Sequence, residues 1–511
     1  MSDWTAGYIA DIGYTYGYYQ ELNPLRMQLA LAYAGVAAPD VTDACELGFG
    51  QGISINFHAT ATGQMWFGTD FNPGQAAFAR SLAHAAGTNA LLFDDSFEEF
   101  SSRKDLPQFD FIGLHGIWSW ISDANRATLI DFIRTRLRIG GVLYASYNIL
   151  PGWGPMVPLR DMLAQHSDTL SGSSVSRVER IDAALAFAEK LFAMEPKYAL
   201  ANPQLAERLR DLQKQDRHYL AHEYFNKDWR PMPFAAIADQ LASAKLQYAA
   251  SAHYINHVDD VNLSAAQREL LAGITDATFR QTVRDFIVNE QFRKDYWVKG
   301  ARALTPFERV AALGRQWVVL LTPVQQIQLT VTGALGEATL QEATFGPVIE
   351  ALSDHSPRKI SELVEMLKPA SVSMPNIMQA LMLLIAKGDV APAHCNGATQ
   401  EAKTKTDAVN KYMQHLSMSR EDVGYHVSPL TSAGHAVSRI EQLFLDSLGQ
   451  GFRTPDELAT TVWQLFQLQG HRVRKGGEVL QESAENIAEL RLKAEEFLQV
   501  RLPLLRTLQI A

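Results

Sequence analysis

The segment Glu46-Leu47-Gly48-Phe49-Gly50-Gln51-Gly52 closes a short apolar run, Val41 to Leu47, and directly precedes a helical pattern that begins at Ile53. Glycines at a strand-to-helix turn let the main chain bend tightly and admit a ligand close to the backbone. The start of the helix offers N–H groups without intrahelical partners. Eighteen residues after Gly52, Asp70 ends the next strand pattern, Met65 to Asp70, where a carboxylate can accept both hydroxyl protons of a ribose. Two nucleoside ligands suit this spacing, a nicotinamide dinucleotide and S-adenosylmethionine. A pyrophosphate favours an uncharged turn whose amides face an anion, and Glu46 would repel it. Glu46 instead suits a ligand that carries an ammonium and a sulfonium and no phosphate. The turn therefore points to the methyl donor.

Methyl transfer needs a nucleophile aligned with the S–CH3 bond in a site dry enough to strengthen their attraction. An amine nucleophile must first lose its proton. From an ordinary lysine pKa of about 10.4, that costs about 4.6 kcal/mol at pH 7. Apolar, aromatic surroundings lower the amine's pKa by desolvation, and ring faces attract methylated cations. Tyr14, Tyr16, Tyr18, Tyr19, Trp118, Trp120 and Trp153 supply such rings, each of which also reads singly as a packing residue. His115 ends the fourth strand pattern, at the edge where open α/β sheets hold ligands. It is a candidate proton acceptor or donor contact, with a structural histidine as the alternative. Asn148, at the corresponding edge of strand five, can offer its amide oxygen to an amine or brace a turn. Tyr14, Tyr18, His115, Trp118, Asn148 and Trp153 are thus the candidate catalytic residues. Glu46, Gly48, Gly50, Gly52, Asp70 and His115 are the candidate donor-binding residues that the turn and the sheet edge point to. His218 and His222 stand four residues apart, but no third ligand follows at zinc-like spacing, so no metal is expected. Cys45 reads as an inert core thiol.

The elements that must position these residues alternate. Strand patterns at Val41–Leu47, 65–70, 90–94, 109–114 and 142–147 are separated by helical ones, at 73–86 and 123–138 most clearly. This predicts an α/β fold with a doubly wound, Rossmann-like parallel sheet. Helix patterns fill 158–219, and strand candidates return at 246–252 and 292–298. Those late strands either complete the sheet or form a separate middle domain. The expected division is a donor-binding core over 1–165, a helical insert over 166–215, a further unit over 216–305 and a mostly helical region over 306–511. Helices at 355–368 and 375–387, with a wing from Asp389, suggest a winged-helix module. Residues 376–386 carry no Lys or Arg, so it reads as a packing module rather than a DNA reader. The stretch 396–407 reads as a loop and 482–500 as a long amphipathic helix.

The chain has 511 residues, 47% of them apolar and 20% charged, which excludes a mostly disordered polymer. A formal charge of −10 disfavours a dedicated nucleic-acid binder. Two cysteines, Cys45 and Cys395, give no disulfide framework. No signal-peptide pattern and no membrane-length apolar run is visible, so a soluble cytoplasmic protein is expected.

The chain resembles the class I S-adenosylmethionine-dependent methyltransferases. Residues 46–52 match their glycine-rich motif, Asp70 their ribose-binding acid, and Asp94-Asp95-Ser96-Phe97 their adenine-contacting segment, so the resemblance adds Asn72, Asp95, Ser96 and Phe97 to the candidate donor-binding residues. Gly140-Gly141 before strand five is also typical of them. More narrowly it resembles bacterial methyltransferases with a methyltransferase regulatory domain. His115-Gly116-Ile117-Trp118-Ser119-Trp120, Ser146-Tyr147-Asn148 with Pro151-Gly152-Trp153, His222-Glu223-Tyr224 and Phe292-Arg293-Lys294-Asp295 carry that likeness over about residues 7 to 305. The resemblance implies S-adenosylmethionine as donor. Its similarity to rickettsial protein-lysine methyltransferases, which act on outer-membrane proteins, implies a lysine acceptor in a protein. Leu114-His115-Gly116-Ile117 stands where many amide- and adenine-directed enzymes carry an Asn-Pro-Pro-Tyr type of motif, which points away from those acceptors. A small-molecule acceptor, and donor sensing without turnover, remain the alternatives. Surplus apolar helix faces suggest a homodimer.

Overall fold

The first helix starts where Asn23-Pro24 predicts it. The Asn23 side chain accepts from the Leu25 N–H at 2.9 Å, and proline in the first turn forfeits no hydrogen bond. This helix, α1, spans Pro24–Ala34. The computed structural model describes residues 15–88, 90–169, 175–394 and 400–511, so Tyr14 and Cys395 lie outside the described residues.

Five strands run parallel: β1 (Asp43–Leu47), β2 (Met65–Thr69), β3 (Leu91–Phe93), β4 (Phe109–Leu114) and β5 (Leu137–Leu150). Parallel neighbours need crossovers. Here these are α2 (Ile53–Ala61), α3 (Pro73–Ala86), α4 (Phe97–Ser102) and α5 (Asp123–Arg136). The spatial order is β3-β2-β1-β4-β5, so the winding direction reverses between β1 and β4. That reversal opens a crevice at the carboxyl ends of the strands, the position where such sheets take ligands. β4 is buried along its whole length, consistent with its unbroken run Phe109 to Leu114.

The late strands complete this sheet and do not form a separate one. After the two-residue β6 (Met232–Pro233), β7 (Leu246–Ser251) and β8 (Phe292–Lys299) extend the order to β5-β8-β7, both antiparallel to their neighbours. The register sets Ser146 against Lys294, Tyr147 against Arg293 and Asn148 against Phe292. Residues from far along the chain thereby reach the carboxyl end of β5.

Between them lie α6 (Val157–Thr169), α7 (Arg177–Phe192), α8 (Lys197–Ala201), α9 (Gln204–Lys214) and α10 (Arg217–Tyr224). These helices share a core around Leu163, Ile181, Leu185 and Leu209. The helices α11 (Phe234–Ala242), α12 (Ala265–Ala272) and α13 (Ala277–Val288) flank β7 and β8. In the C-terminal region, the strand Trp317–Leu320 pairs with Arg358–Lys359 and Val390–Ala393. The helix Met374–Lys387 buries Ile377, Leu381, Leu384 and Ile385 in the same core as Met27 and Leu29 of α1.

One expectation is corrected. Residues 400–407 are not a loop but the start of the helix Gln400–Ser417. Ala402, Thr406, Val409 and Met413 form its buried stripe, the last two packing with Phe57 and Leu82. Small and polar residues at the first two positions hid the helical period.

Candidate functional site

Gly48, Gly50 and Gly52 adopt φ of +73°, +58° and +70° between β1 and α2. A Cβ on Gly48 would lie 2.3 Å from Ile117 Cδ1, and one on Gly52 would lie 2.5 Å from Ala79 Cβ. Both conformation and space therefore demand glycine. The turn is tied to the end of β2 through Asp70. Its Oδ2 accepts from the Gly50 N–H at 2.8 Å and its Oδ1 from the Asn72 N–H at 3.0 Å. With its amide nitrogen turned toward Asp70, Gln75 donates to Oδ1 at 3.0 Å.

Glu46, 2% exposed, faces no such company. Its Oε2 is buried without a hydrogen-bond partner. Burial, and after it the charge of Asp70, push its carboxyl well above the ordinary range. Burial likewise raises Asp70 to about 6, against two backbone N–H donors that pull it down. Two desolvated carboxylates side by side, with no ion pair to a described lysine or arginine, are costly in isolation. A ligand that brings positive charge and hydroxyl donors would relieve both.

Beyond β3, the Asp95 carbonyl accepts from the Thr69 hydroxyl and its carboxylate pairs with Arg103 at 3.0 Å. The Arg103 guanidinium in turn covers the Phe93 ring at 3.8 Å. Asn72 caps α3, its Oδ1 accepting from the Gly74 N–H at 2.9 Å. Ser96 caps α4 in a reciprocal box with Glu99. These polar side chains position the two helix starts, which leaves the half-buried Phe97 ring as the apolar surface of this segment.

At the end of β4, His115 Nδ1 lies 2.8 Å from the Tyr144 hydroxyl, and Tyr19 stacks on the imidazole at 3.8 Å between centroids. Burial lowers the His115 pKa to about 4, so the ring is neutral at physiological pH. Beside it is a pair that sequence reasoning missed. Glu21, 4% exposed, takes a 2.6 Å ion pair from Lys294 of β8. Burial alone would raise the Glu21 carboxyl, but Lys294, His115 and Arg26 together hold it below its ordinary value. The signal available was an acid between the tyrosines Tyr18-Tyr19 and the apolar Leu22. Asn148 donates its backbone N–H to Ser119 Oγ at 2.9 Å, and its side-chain Nδ2 is buried without a partner.

Three of the expected acceptor rings stand in packing positions. Trp118 is fully buried in the core that holds Leu114, Leu129 and Tyr147. Trp153 meets Trp229 edge-on at 5.2 Å and Tyr224 at 6.1 Å, against the helical insert. The Tyr18 hydroxyl lies 3.1 Å from His58 Nε2, and its ring packs on Phe57 and Tyr425. The rings gathered around His115 are instead Tyr19, Tyr144 and Phe292. The contact at Tyr18 joins the sheet domain to the C-terminal hairpin Tyr425–Ser428/Ala433–Ala436. A Cβ on Gly434 would lie 2.7 Å from the Tyr18 ring and 2.9 Å from Phe57. Gly434→Val is expected to cost about 1–3 kcal/mol by overpacking, read as a lower urea midpoint. An unchanged midpoint would show that the hairpin yields freely.

Among the described residues, no group of three His, Cys, Asp or Glu side chains is arranged to hold a metal ion. Among the same described residues, no helix is long and apolar enough to cross a membrane.

Residues 216–299 match the family described as a predicted methyltransferase regulatory domain. The uncharacterized protein sll1526 of Synechocystis is 40% identical over 99% of this chain and 100% of its own length. The uncharacterized protein RP789 of Rickettsia prowazekii is 27% identical over 54% of this chain and 49% of its own. Among solved structures, PKMT2 from Rickettsia typhi in complex with AdoHcy superposes with a TM-score of 0.69 and 17% identity, covering 96% of this chain and 99% of that one. The shared fold thus extends through the C-terminal region. Matched almost end to end by its cyanobacterial relative, the chain belongs to the family that joins a class I methyltransferase fold to a methyltransferase regulatory domain.

Proposed function

We propose that this chain is an S-adenosylmethionine-dependent methyltransferase that N-methylates lysine side chains of a protein. The observation that carries the donor assignment is the buried Glu46 carboxylate. One of its oxygens is unpartnered, and it stands beside Asp70 beneath a turn that only glycine can form. Such a pair suits a cationic nucleoside and rejects a pyrophosphate. Asp70 would accept the ribose hydroxyls, Glu46 would face the positive charge, and Phe97 would offer a ring face to the adenine. The bound donor supplies an electrophilic methyl group.

The rest of the chemistry falls to this chain. An incoming lysine must be neutral when it attacks, and the buried surroundings of Tyr19, Tyr144 and Phe292 favour the neutral amine. With Nδ1 protonated and donating to Tyr144, the neutral His115 keeps a lone pair on Nε2 that can accept a hydrogen bond from the incoming amine and orient it, the amine having given its proton to solvent on entry. The motif resemblance to protein-lysine methyltransferases supports a protein acceptor. A cytoplasmic location and a homodimer belong to the same reading.

Radiolabelled donor incubated with the purified chain and fractionated lysate should place label on lysine in the protein fraction. Label only in the low-mass fraction would transfer the proposal to a small molecule. Donor binding with no label in either would reduce it to sensing.

Affinity for adenosylhomocysteine should also depend on pH. Ribose hydroxyls donate to ionised Asp70, whose pKa of about 6 in the free protein is above its ordinary value. Affinity should then fall as the pH drops through 6, the Asp70 contribution alone giving roughly tenfold by pH 5. Calorimetry giving equal affinity at pH 5 and 7.5 would remove Asp70 from the contact.

A further inference from the structure

Between the outer edge of β7 and the helices α12 and α13 lies a cavity of about 400 Å3. That is within the ~300–1,000 Å3 of small-molecule sites. No residue of β1–β5 lines it, so it is separate from the glycine turn.

The charges around it do not cancel. Of its four arginines, Arg268 pairs with Asp260 and Arg284 with Asp259 at 2.7 Å. Arg293 pairs with Asp285 and Asp295 at 2.7 Å each. Arg280 is exposed and makes no ion pair among the described residues; its guanidinium has only a 3.5 Å contact to the Ile274 carbonyl. On the acidic side, Asp285 is 2% exposed and gives Oδ1 to Arg293, while its Oδ2 is buried with no partner. Glu290 lines the same cavity and is in no ion pair among the described residues. The remaining wall sets Ala249, Ala250, Leu271 and Ala272 beside the polar Ser251, Asn256, His257 and Gln281.

We propose that this cavity is a binding site for a free α-amino acid with an apolar side chain, its ammonium on Asp285 and Glu290 and its carboxylate on Arg280. A simple cation would leave Arg280 unanswered, and a simple anion would bring no donor to Asp285 Oδ2. Only a ligand with both groups completes the two charge-assisted contacts. With Arg268, Arg284 and Arg293 already paired, the patch formed by Ala249, Ala250, Leu271 and Ala272 leaves room for an aliphatic or thioether side chain. From Asp285 the ion pairs continue through Arg293 to Asp295, which accepts from the Tyr147 hydroxyl on β5. The occupant therefore sits at the end of a continuous buried chain that begins next to Asn148.

The test is calorimetric titration of the full chain with L-leucine, L-methionine and L-phenylalanine. In parallel, isoamylamine and 4-methylpentanoic acid serve as the two halves of leucine. At least one amino acid should saturate the chain at or below about 1 mM, with the amine and the acid each weaker by roughly tenfold or more. Arg280→Ala, an exposed change that breaks no ion pair, should weaken the amino acid by a similar factor, as should Asp285→Asn. Adenosylhomocysteine binding in each variant checks that the chain is folded. Absence of binding by all three amino acids at 10-fold higher concentration overturns the proposal, as does affinity that survives Arg280→Ala. Equal affinity for isoamylamine would also overturn it, leaving only a cation site.

Discussion

Asp70→Ala is expected to weaken adenosylhomocysteine binding by about 3 kcal/mol, somewhat over a hundredfold. Two losses combine. The ribose hydroxyls lose an ionised acceptor, and hydrogen bonds to a charged group are worth about 1.5–3 kcal/mol each. The Gly50 and Asn72 N–H groups, at 2.8 and 3.0 Å, lose the carboxylate that holds the turn against the end of β2. Asp70→Asn separates the two, because its amide oxygen can still accept from the turn while the charge is gone. It should fall between wild type and alanine. The empty protein has the opposite preference. Asp70 is raised above its unfolded value, so its ionisation costs stability, and that cost shrinks as the pH falls below about 6 and is gone below the ordinary carboxylate value. Asp70→Ala should therefore bind donor product poorly while unfolding at an equal or higher urea concentration near pH 7. Tight binding by the alanine variant would detach Asp70 from the ligand. A collapse in stability would mean that the carboxylate is structural first.

The candidate donor turn was legible because its constraints are local. A strand end, three glycines and a helix start lie within seven residues, and the acid that anchors them is eighteen residues on. The cluster around His115 was not, because its groups meet only through the sheet. Glu21 and Lys294 are 273 positions apart and are brought together by the antiparallel pairing of β8 with β5. The aromatic run illustrates the limit further. Tyr18 and Tyr19 look alike in sequence, yet the backbone at Tyr19 is extended and neighbouring side chains diverge. Tyr18 is sent to His58 and the C-terminal hairpin, and Tyr19 to His115. Composition identified a supply of rings but not which of them face the site. Trp118 shows the same limit, since a tryptophan beside a strand end is as well suited to the core under α5 as to a ligand.

The largest loss of stability should come from Arg293→Ala, about 3–5 kcal/mol. The guanidinium is buried and donates to Asp295 and Asp285 at 2.7 Å each and to Gln281 at 3.0 Å. It also lies over the Phe234 ring at 4.3 Å. Removing it leaves two carboxylates, both nearly inaccessible, with no counter-charge. Burial already raises Asp285 to about 7 with Arg293 present, and without that cation the value must climb further. The sign follows from linkage. A carboxyl whose pKa is higher folded than unfolded binds its proton more tightly in the native state, so lowering the pH stabilises the variant relative to wild type. The deficit measured by urea unfolding should thus be widest near pH 8 and narrow toward pH 5. Arg293→Lys should recover only part of it, because an ammonium cannot span Asp285, Asp295 and Gln281 as a planar fork does. If the deficit were the same at both pH values, its origin would be the lost cover over Phe234 and Tyr248 rather than the uncompensated acids. The chain of ion pairs from β8 to Tyr147 would then act as packing, with no electrostatic hold on the end of β5.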